Sequence, residues 1–403
     1  MSRRVFITGY GIISAIGNNA EENYSSLVNK KSGFGRLDFL NTVHRDELPG
    51  CEVKLSDSAL CDLAGVTQNA GYTRTALLAM IAVREAIVSA ALSEEDVQKA
   101  GILSATTAGG IRELETYLYD LQDLEKTGEF LAYLDTADAG EHMERLADSF
   151  GIRGYIGAVS TACSSAANAI ILGSRLISQN FLEIAVCGGS DALGKVTLNG
   201  FSSLMILDRN ACRPFDENRN GLNMGEGAAY LVLESEEALM RSGKKAIAEL
   251  KGYANINDIF HQTASSPDGA GALASMSKAL AKAGLNIADI DYINAHGTGT
   301  ENNDLAEGLG IQALFGKQPP PFSSTKPYTG HAMAASGSIE AAFCMMAFQH
   351  DAIFPNLNFD TPMNELDIRP ITELKQQAVL RNILSNSFGF GGSTASLLFS
   401  KCL

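Results

Sequence analysis

A duplicated α/β protein with buried sheets is predicted by three features of this 403-residue chain. Short apolar runs ending in glycine or other small residues alternate with longer helical stretches, as expected for sheets covered by helices. "RRVFITGYG" near the start has a weak counterpart in "IDYINAHGTG" (290–299), each a short strand entering a glycine-punctuated turn, as an internal duplication would leave. No linker rich in Pro, Gly or Ser interrupts the chain, so halves spanning 1–250 and 251–403 are expected to share one body.

In chain order, Val5 to Thr8 reads as a strand running into glycines. A short helix is expected around 61–75. The stretch 75–92 is apolar but interrupted by Arg84 and Glu85, so it reads as a buried helix, not a membrane span. Residues 100–107, 182–192 and 228–234 read as buried strands, and 164–179 and 272–283 as helices. Residues 111–150 stand apart, with eleven Asp/Glu against three Lys/Arg and with Leu114, Leu118 and Leu121 at helical spacing. They predict an inserted helical lobe on the surface of the first half.

Composition narrows the function. With 45% hydrophobic and 19% charged residues, the chain can fill a large core. Its net charge is 31 − 46 = −15, which argues against wrapping nucleic acid or lying on anionic lipid. Seven scattered cysteines, an odd number, argue against a disulfide framework, and none has zinc-ligand spacing, so no metal site is expected. No basic segment followed by an apolar one opens the chain, and a reducing cytoplasm fits the cysteine usage. "GYGIISAIG" fails as a dinucleotide fingerprint, since Gly9-x-Gly11 lacks the third glycine at the required spacing.

The chemistry candidates begin with "AVSTACSSAANAI" (158–170), where a strand gives way to a helix. Cys163 sits at that junction, near the free N–H groups and partial positive charge of a helix start, which favour the reactive thiolate. Its small neighbours leave room for a bulky substrate; the alternative is a small core side chain. Two of the six histidines, His296 in "NAHGTGT" and His331 in "TGHAMAASG", lie among glycines that permit close approach of a ligand. Lys326 precedes His331 by five residues and Glu340 follows it by nine, and a buried Lys–Glu pair could hold that second histidine. "NSFGFGG" (386–392) offers Phe388 and Phe390 on a glycine-rich turn, suited to a gate or a backbone N–H donor, or else to an ordinary turn with core phenylalanines.

Taken together, "TACSSAANAI", "RPFDENRNGLNMGEGAAYLVLE" (213–234), "NAHGTGTENNDLAE", "SSTKPYTGHAMAASGSIEAA" and "NSFGFGG" resemble, in order and over the whole length, the β-ketoacyl-acyl-carrier-protein synthases, most closely the type II elongating enzymes. The resemblance implies a thiolase fold: a duplicated α/β unit in five layers, α-β-α-β-α, in a homodimer or in a heterodimer with a related subunit. It implies that Cys163 takes an acyl chain from a carrier protein, with the N–H groups of Cys163 and Phe390 as oxyanion hole and Phe388 beside the gate. His296 and His331, neutral and donating from Nε2, would then stabilise the enolate left when malonyl carrier protein loses carbon dioxide, and Lys326 belongs to the same catalytic set. Thr298 and Thr300 would hold the phosphopantetheine arm of the substrate. Ala108 and Phe201 would face the acyl chain. Glu340, Asp304 and Glu307 would give structural support. No bound cofactor is implied; the substrates are phosphopantetheine-linked thioesters on acyl carrier protein.

Three departures from the family pattern stand out. Ala108 replaces a bulky isoleucine at the acyl-pocket throat, which predicts passage of longer or stiffer chains. Ala334 and Asn220 replace a glycine and an aspartate outside the catalytic set. The 61–75 segment carries only Arg74 where relatives dock the acidic carrier with a basic cluster, leaving Arg209 and Arg213 as docking candidates. Elongation in fatty-acid synthesis is the first reading, and a ketosynthase of a specialised polyene or polyketide pathway the second. A chain-length-factor-type subunit, which lacks the nucleophile, fits poorly with Cys163 and both histidines. A thiolase would need a second late cysteine in a glycine-rich motif, and Cys402 is in none. A Cys–His hydrolase would need a base poised against the thiol.

Overall fold

The computed structural model describes residues 3–68 and 70–402. Its strands are β1 (Val5–Ser14), β2 (Gly101–Ala105), β3 (Ile156–Val159), β4 (Ile184–Asp191), β5 (Gly227–Ser235), β6 (Ala248–Asn257), β7 (Tyr292–Asn294), β8 (Phe322–Ser323), β9 (Asn382–Phe388) and β10 (Ser393–Lys401). They form one sheet in the order β3-β2-β4-β5-β1-β6-β10-β9-β7-β8. The order is a palindrome of pairings. In the first half β1 and β4 run antiparallel to β5, while β2 is parallel to β3 and β4. In the second half β6 and β9 run antiparallel to β10, while β7 is parallel to β8 and β9. Within the sheet, the short pairing of Phe6 and Ile7 with Glu249 and Ala248 joins the halves.

Five layers follow from the helices. Arg74–Ser89, capped by the Thr73 hydroxyl, packs on β1 and β5 outside the first half. Ala270–Ala283 packs on β6 and β10 outside the second. Between the half-sheets lie Ser165–Ser178 and Ser336–His350, packed on each other. The latter is buried at every position from Ser336 to Phe348, because a helix in a central layer has no solvent face to make polar.

The duplication predicted from sequence is present, but the strands it was read from are not counterparts. By pairing order the partner of β1 is β6, and the partner of β7 is β2. β1 also runs past Thr8 to Ser14. Its glycines are there for contact: a Cβ at Gly11 would lie 2.1 Å from the Ala82 carbonyl oxygen, so the helix Arg74–Ser89 can sit on the strand only if that side chain is missing. The segment 61–75 is not one helix. Asp57–Ala64 ends at a left-handed Gly65, and a loop leads to Thr73. The acidic lobe is broken into Ile111–Thr116, Leu118–Gln122, the 3₁₀ segment Glu129–Ala137 and Glu141–Phe150. The chain turns at Tyr117, which stacks on Tyr133 with ring centres 5.5 Å apart. Leu118 is therefore half exposed rather than part of a buried stripe. No helix among the described residues is long and apolar enough to cross a membrane.

Candidate active site

The pseudo-twofold arrangement brings two equivalent crossovers face to face. Cys163 lies between β3 and the helix Ser165–Ser178; Lys326 and His331 lie between β8 and the helix Ser336–His350. His296 follows β7, and the glycine-rich turn joins β9 to β10. A cavity of about 320 Å³ gathers Cys163, His296, His331, Thr298, Thr300, Phe201, Phe388 and Phe390 on its walls.

The turn that presents Cys163 is strained: Ala162 before it has φ of 55°, a left-handed conformation rare for a residue with a side chain. Cys163 is 6% exposed. Burial pushes its thiol up to about 11, while the Lys326 charge and the N–H groups of Phe390 and of Cys163 itself pull the other way. Those two N–H groups converge on the sulfur. Gly389 makes the approach possible: a Cβ there would lie 2.8 Å from the Thr161 carbonyl oxygen and 3.1 Å from the Cys163 nitrogen. Phe390 stacks on Phe201, ring centres 5.9 Å apart, and closes that side of the cavity.

The two imidazoles meet edge to face, with ring centres 5.4 Å apart. Both are held well below the usual histidine range, by burial first and then by the charge of Lys326. Both are therefore neutral, and their Nδ1 atoms are occupied. His331 Nδ1 lies 3.2 Å from the Met333 N–H, which can only donate, and 2.9 Å from the Ser336 hydroxyl. His296 Nδ1 lies 3.2 Å from the Lys326 ammonium. Each ring proton is thus left on Nε2.

Lys326 is fully buried and also donates to the His296 carbonyl at 2.6 Å and to Glu340. The Lys–Glu pair exists, but it holds the first histidine, His296, not His331 as the sequence suggested. His331 is oriented instead by the helix start that follows it. The Glu340 carboxyl is pushed up to about 7 by burial, against the pull of Lys326. Glu307 accepts the N–H groups of His296 (2.9 Å) and Gly297 (2.8 Å), and Asp304 those of Phe215 and Gly299. These acids fix the loop and do not line the cavity. Thr298 and Thr300 share a hydrogen bond of 2.9 Å.

Ala108 is not on the cavity wall. It is buried in an apolar cluster with Leu193, Leu198 and Met333, against which Phe201 packs. The cluster meets the cavity at Leu222, with Phe201 and Ile206 packed against the cluster and also on the cavity wall. Sequence reasoning missed Asp191, whose buried carboxylate accepts the N–H groups of Thr107, Ala108 and Ala334 and so ties the Ala108 turn to the His331 segment. It also missed Ser164, Asn168 and Ser393, which join the Cys163 turn to the glycine-rich turn after β9. No local pattern marks these residues, because their partners are distant in sequence.

Residues 2–238 match the family described as "Beta-ketoacyl synthase, N-terminal domain", and residues 247–360 match "Beta-ketoacyl synthase, C-terminal domain". Over 412 residues, covering 99% of this chain and 98% of the relative, the sequence is 33% identical to a "3-oxoacyl-[acyl-carrier-protein] synthase 2" of Synechocystis sp.. It is 31% identical, covering 99% of both, to a protein of the same name from Staphylococcus aureus. Among solved structures, "The ishigamide ketosynthase/chain length factor" aligns over 100% of both chains with TM-score 0.91 and 30% identity.

Proposed function

The chain belongs to the β-ketoacyl synthase family, and on that premise we propose that it extends an acyl chain by decarboxylative condensation with a malonyl unit, both carried as thioesters on acyl carrier protein. The observation that carries the mechanism is the occupied Nδ1 of both histidines beside the only cysteine on the cavity wall. With Nε2–H as their free function, the imidazoles are donors, not bases. Donors stabilise an enolate; a hydrolase would need a free ring lone pair against the thiol.

The steps balance. Cys163 sulfur attacks the acyl thioester, its proton ends on the departing pantetheine sulfur, and the N–H groups of Cys163 and Phe390 hold the tetrahedral oxyanion. Malonyl carrier protein then loses carbon dioxide. The electron pair of that C–C bond becomes an enolate whose oxygen accepts from His296 and His331. The enolate carbon attacks the acyl-cysteine, and the released thiolate takes one proton from solvent. Lys326 acts through His296, holding Nδ1 so that the proton stays on Nε2. Thr298 and Thr300 line the approach of the pantetheine arm. The first five strands form the unit that supplies the nucleophile, and the second five the unit that supplies the histidines. No oxidant or reductant enters these steps.

Elongation in fatty-acid synthesis is the primary reading, in keeping with the names of the relatives. A ketosynthase of a specialised pathway, paired with a related subunit, is the second. One observation favours it: the small side chain of Ala108 in the cluster against which Phe201 packs. The exposed Tyr155 and Ile156 at the unpaired edge strand β3 mark an edge that a second subunit of either kind would cover. Intact-mass measurement after exposure to acyl carrier proteins of several chain lengths, then to malonyl carrier protein, tests both. An acyl adduct on Cys163 that disappears as β-ketoacyl carrier protein forms, and that Cys163→Ala never acquires, is the expected outcome. Loading only when a related subunit is added selects the second reading. No adduct under either condition, with the protein folded, overturns both.

A further inference from the structure

We propose that Ser393 and Ser164 form a hydroxyl latch that positions one oxyanion donor against the other; the proposal rests on the reading of Cys163 as an acyl-accepting nucleophile. The two donors come from elements far apart in sequence. The Cys163 N–H belongs to the turn before a central helix, and the Phe390 N–H to the loop between β9 and β10. Their separation depends on what joins the turn to the loop.

Side-chain bonds across that seam converge on Ser393, the first residue after the loop. Its Oγ lies 2.8 Å from the Ser164 hydroxyl, 3.2 Å from Asn168 Nδ2 and 3.2 Å from Asn255 Oδ1. Each hydroxyl has one proton and one partner that can only accept, Asn255 Oδ1 for Ser393 and the Thr161 carbonyl for Ser164, so the bond between the two hydroxyls is made by whichever proton is not turned to its fixed acceptor. Ser393 oxygen also receives a proton from Asn168, whose Nδ2 reaches Thr161 Oγ1 at 2.8 Å. One hydroxyl thus ties the gate to the residue after the nucleophile and to the strand β6.

The latch can also let go. Ser164 Oγ lies 2.8 Å from the Thr161 carbonyl oxygen. When the gate opens, the Ser164 proton can turn fully to that acceptor, and no buried donor is orphaned. Asn168 likewise keeps Thr161. An opening gate therefore gives up bonds that are replaced locally, so the contact biases the closed state without locking it. Ser393 and Ser164 touch neither sulfur nor substrate; they are positioning residues.

Three proteins decide this: wild type, Ser393→Ala and Ser393→Thr. Two rates are read: acyl transfer to Cys163 from carrier protein, and alkylation of Cys163 by iodoacetamide followed by peptide mass. Ser393→Ala is expected to slow acyl transfer about tenfold at saturating substrate with KM changed less than twofold, and to speed alkylation severalfold as the gate loosens. Ser393→Thr, which keeps the hydroxyl, is expected to restore both. Equal effects of Ala and Thr, or unchanged acyl transfer in Ser393→Ala, would overturn the latch. A wild type that accepts no acyl group refutes the nucleophile reading instead, and the alkylation rates still report on the gate.

Discussion

Burial keeps the Cys163 thiol protonated at pH 7, pushed up to about 11. The reaction tolerates this because the proton ends on the leaving sulfur and the helix start and two N–H groups favour the anion as it forms. Two consequences follow for alkylation of Cys163. Its rate should rise tenfold per pH unit from 7 to 9 without reaching a plateau; a plateau near 8.5 would mean an ordinary exposed thiol. Lys326→Met removes the cation that pulls the thiol down, so the sign is a further rise in the thiol value and slower alkylation at every pH. Faster alkylation in that variant would show that Lys326 acts by blocking the cavity. At this scale the sequence was most legible where chemistry is local. Cys163, His296 and His331 each sit in a window whose small residues announce a ligand. The partner of Lys326 was not legible: it is five residues from His331 and thirty from His296, yet bonds to His296, because the β7 loop and the crossover after β8 fold back on each other.

The same contrast governs whole elements. The helix Arg74–Ser89 was legible from its long apolar run, but its first residue was not. From sequence Arg74 is the lone basic residue of the 61–75 segment, where relatives dock the carrier. It is buried, donates to the Glu226 carboxylate, to Asp57 and to the carbonyls of Val53 and Leu55, and so pins the helix to the start of β5. Burial disfavours both charges, and the pairing more than offsets it: the Glu226 carboxyl is held below its ordinary range. Arg74→Leu leaves that carboxylate buried with Arg112, at 3.8 Å, as its remaining cation. We expect a loss of about 3–5 kcal/mol in unfolding free energy, read as a lower urea midpoint, with the gate and cavity untouched. A loss under 1 kcal/mol would place Arg74 with ordinary surface ion pairs. This burial also removes Arg74 from the basic residues available to a carrier protein. The lobe 111–150 shows the limit of periodicity: its leucines keep helical spacing across Tyr117, where aromatic stacking turns the chain.

Across the whole molecule the duplication is plain in the pairing order and faint in the sequence. β1 and β6 are counterparts, and "VFITGYGIIS" and "AELKGYANIN" agree in register only at Gly-Tyr and one later Ile; each strand takes a helix against a glycine, Gly11 at the Ala82 carbonyl and Gly252 at the Ala279 carbonyl. Net charge, by contrast, is read directly, and it sets how a partner arrives. The resemblance implies an acidic carrier, and a chain of −15 repels it at long range. Close to the cavity mouth the attraction is thin: Arg213 is spent on Asp360 at 3.2 Å, and exposed Arg209, three residues past the cavity-lining Ile206, remains. Screening acts over about 10 Å at 0.1 M salt, so it removes the distant repulsion more completely than a contact at Arg209. The kcat/KM for acyl carrier protein should therefore rise severalfold between 20 and 150 mM salt, the reverse of basic-patch docking. Arg209→Glu should lower it at both concentrations and steepen the rise. A steady fall with salt in the wild type would mean that local attraction outweighs the field of the whole chain, and that a basic surface contributed by a second subunit completes the docking site.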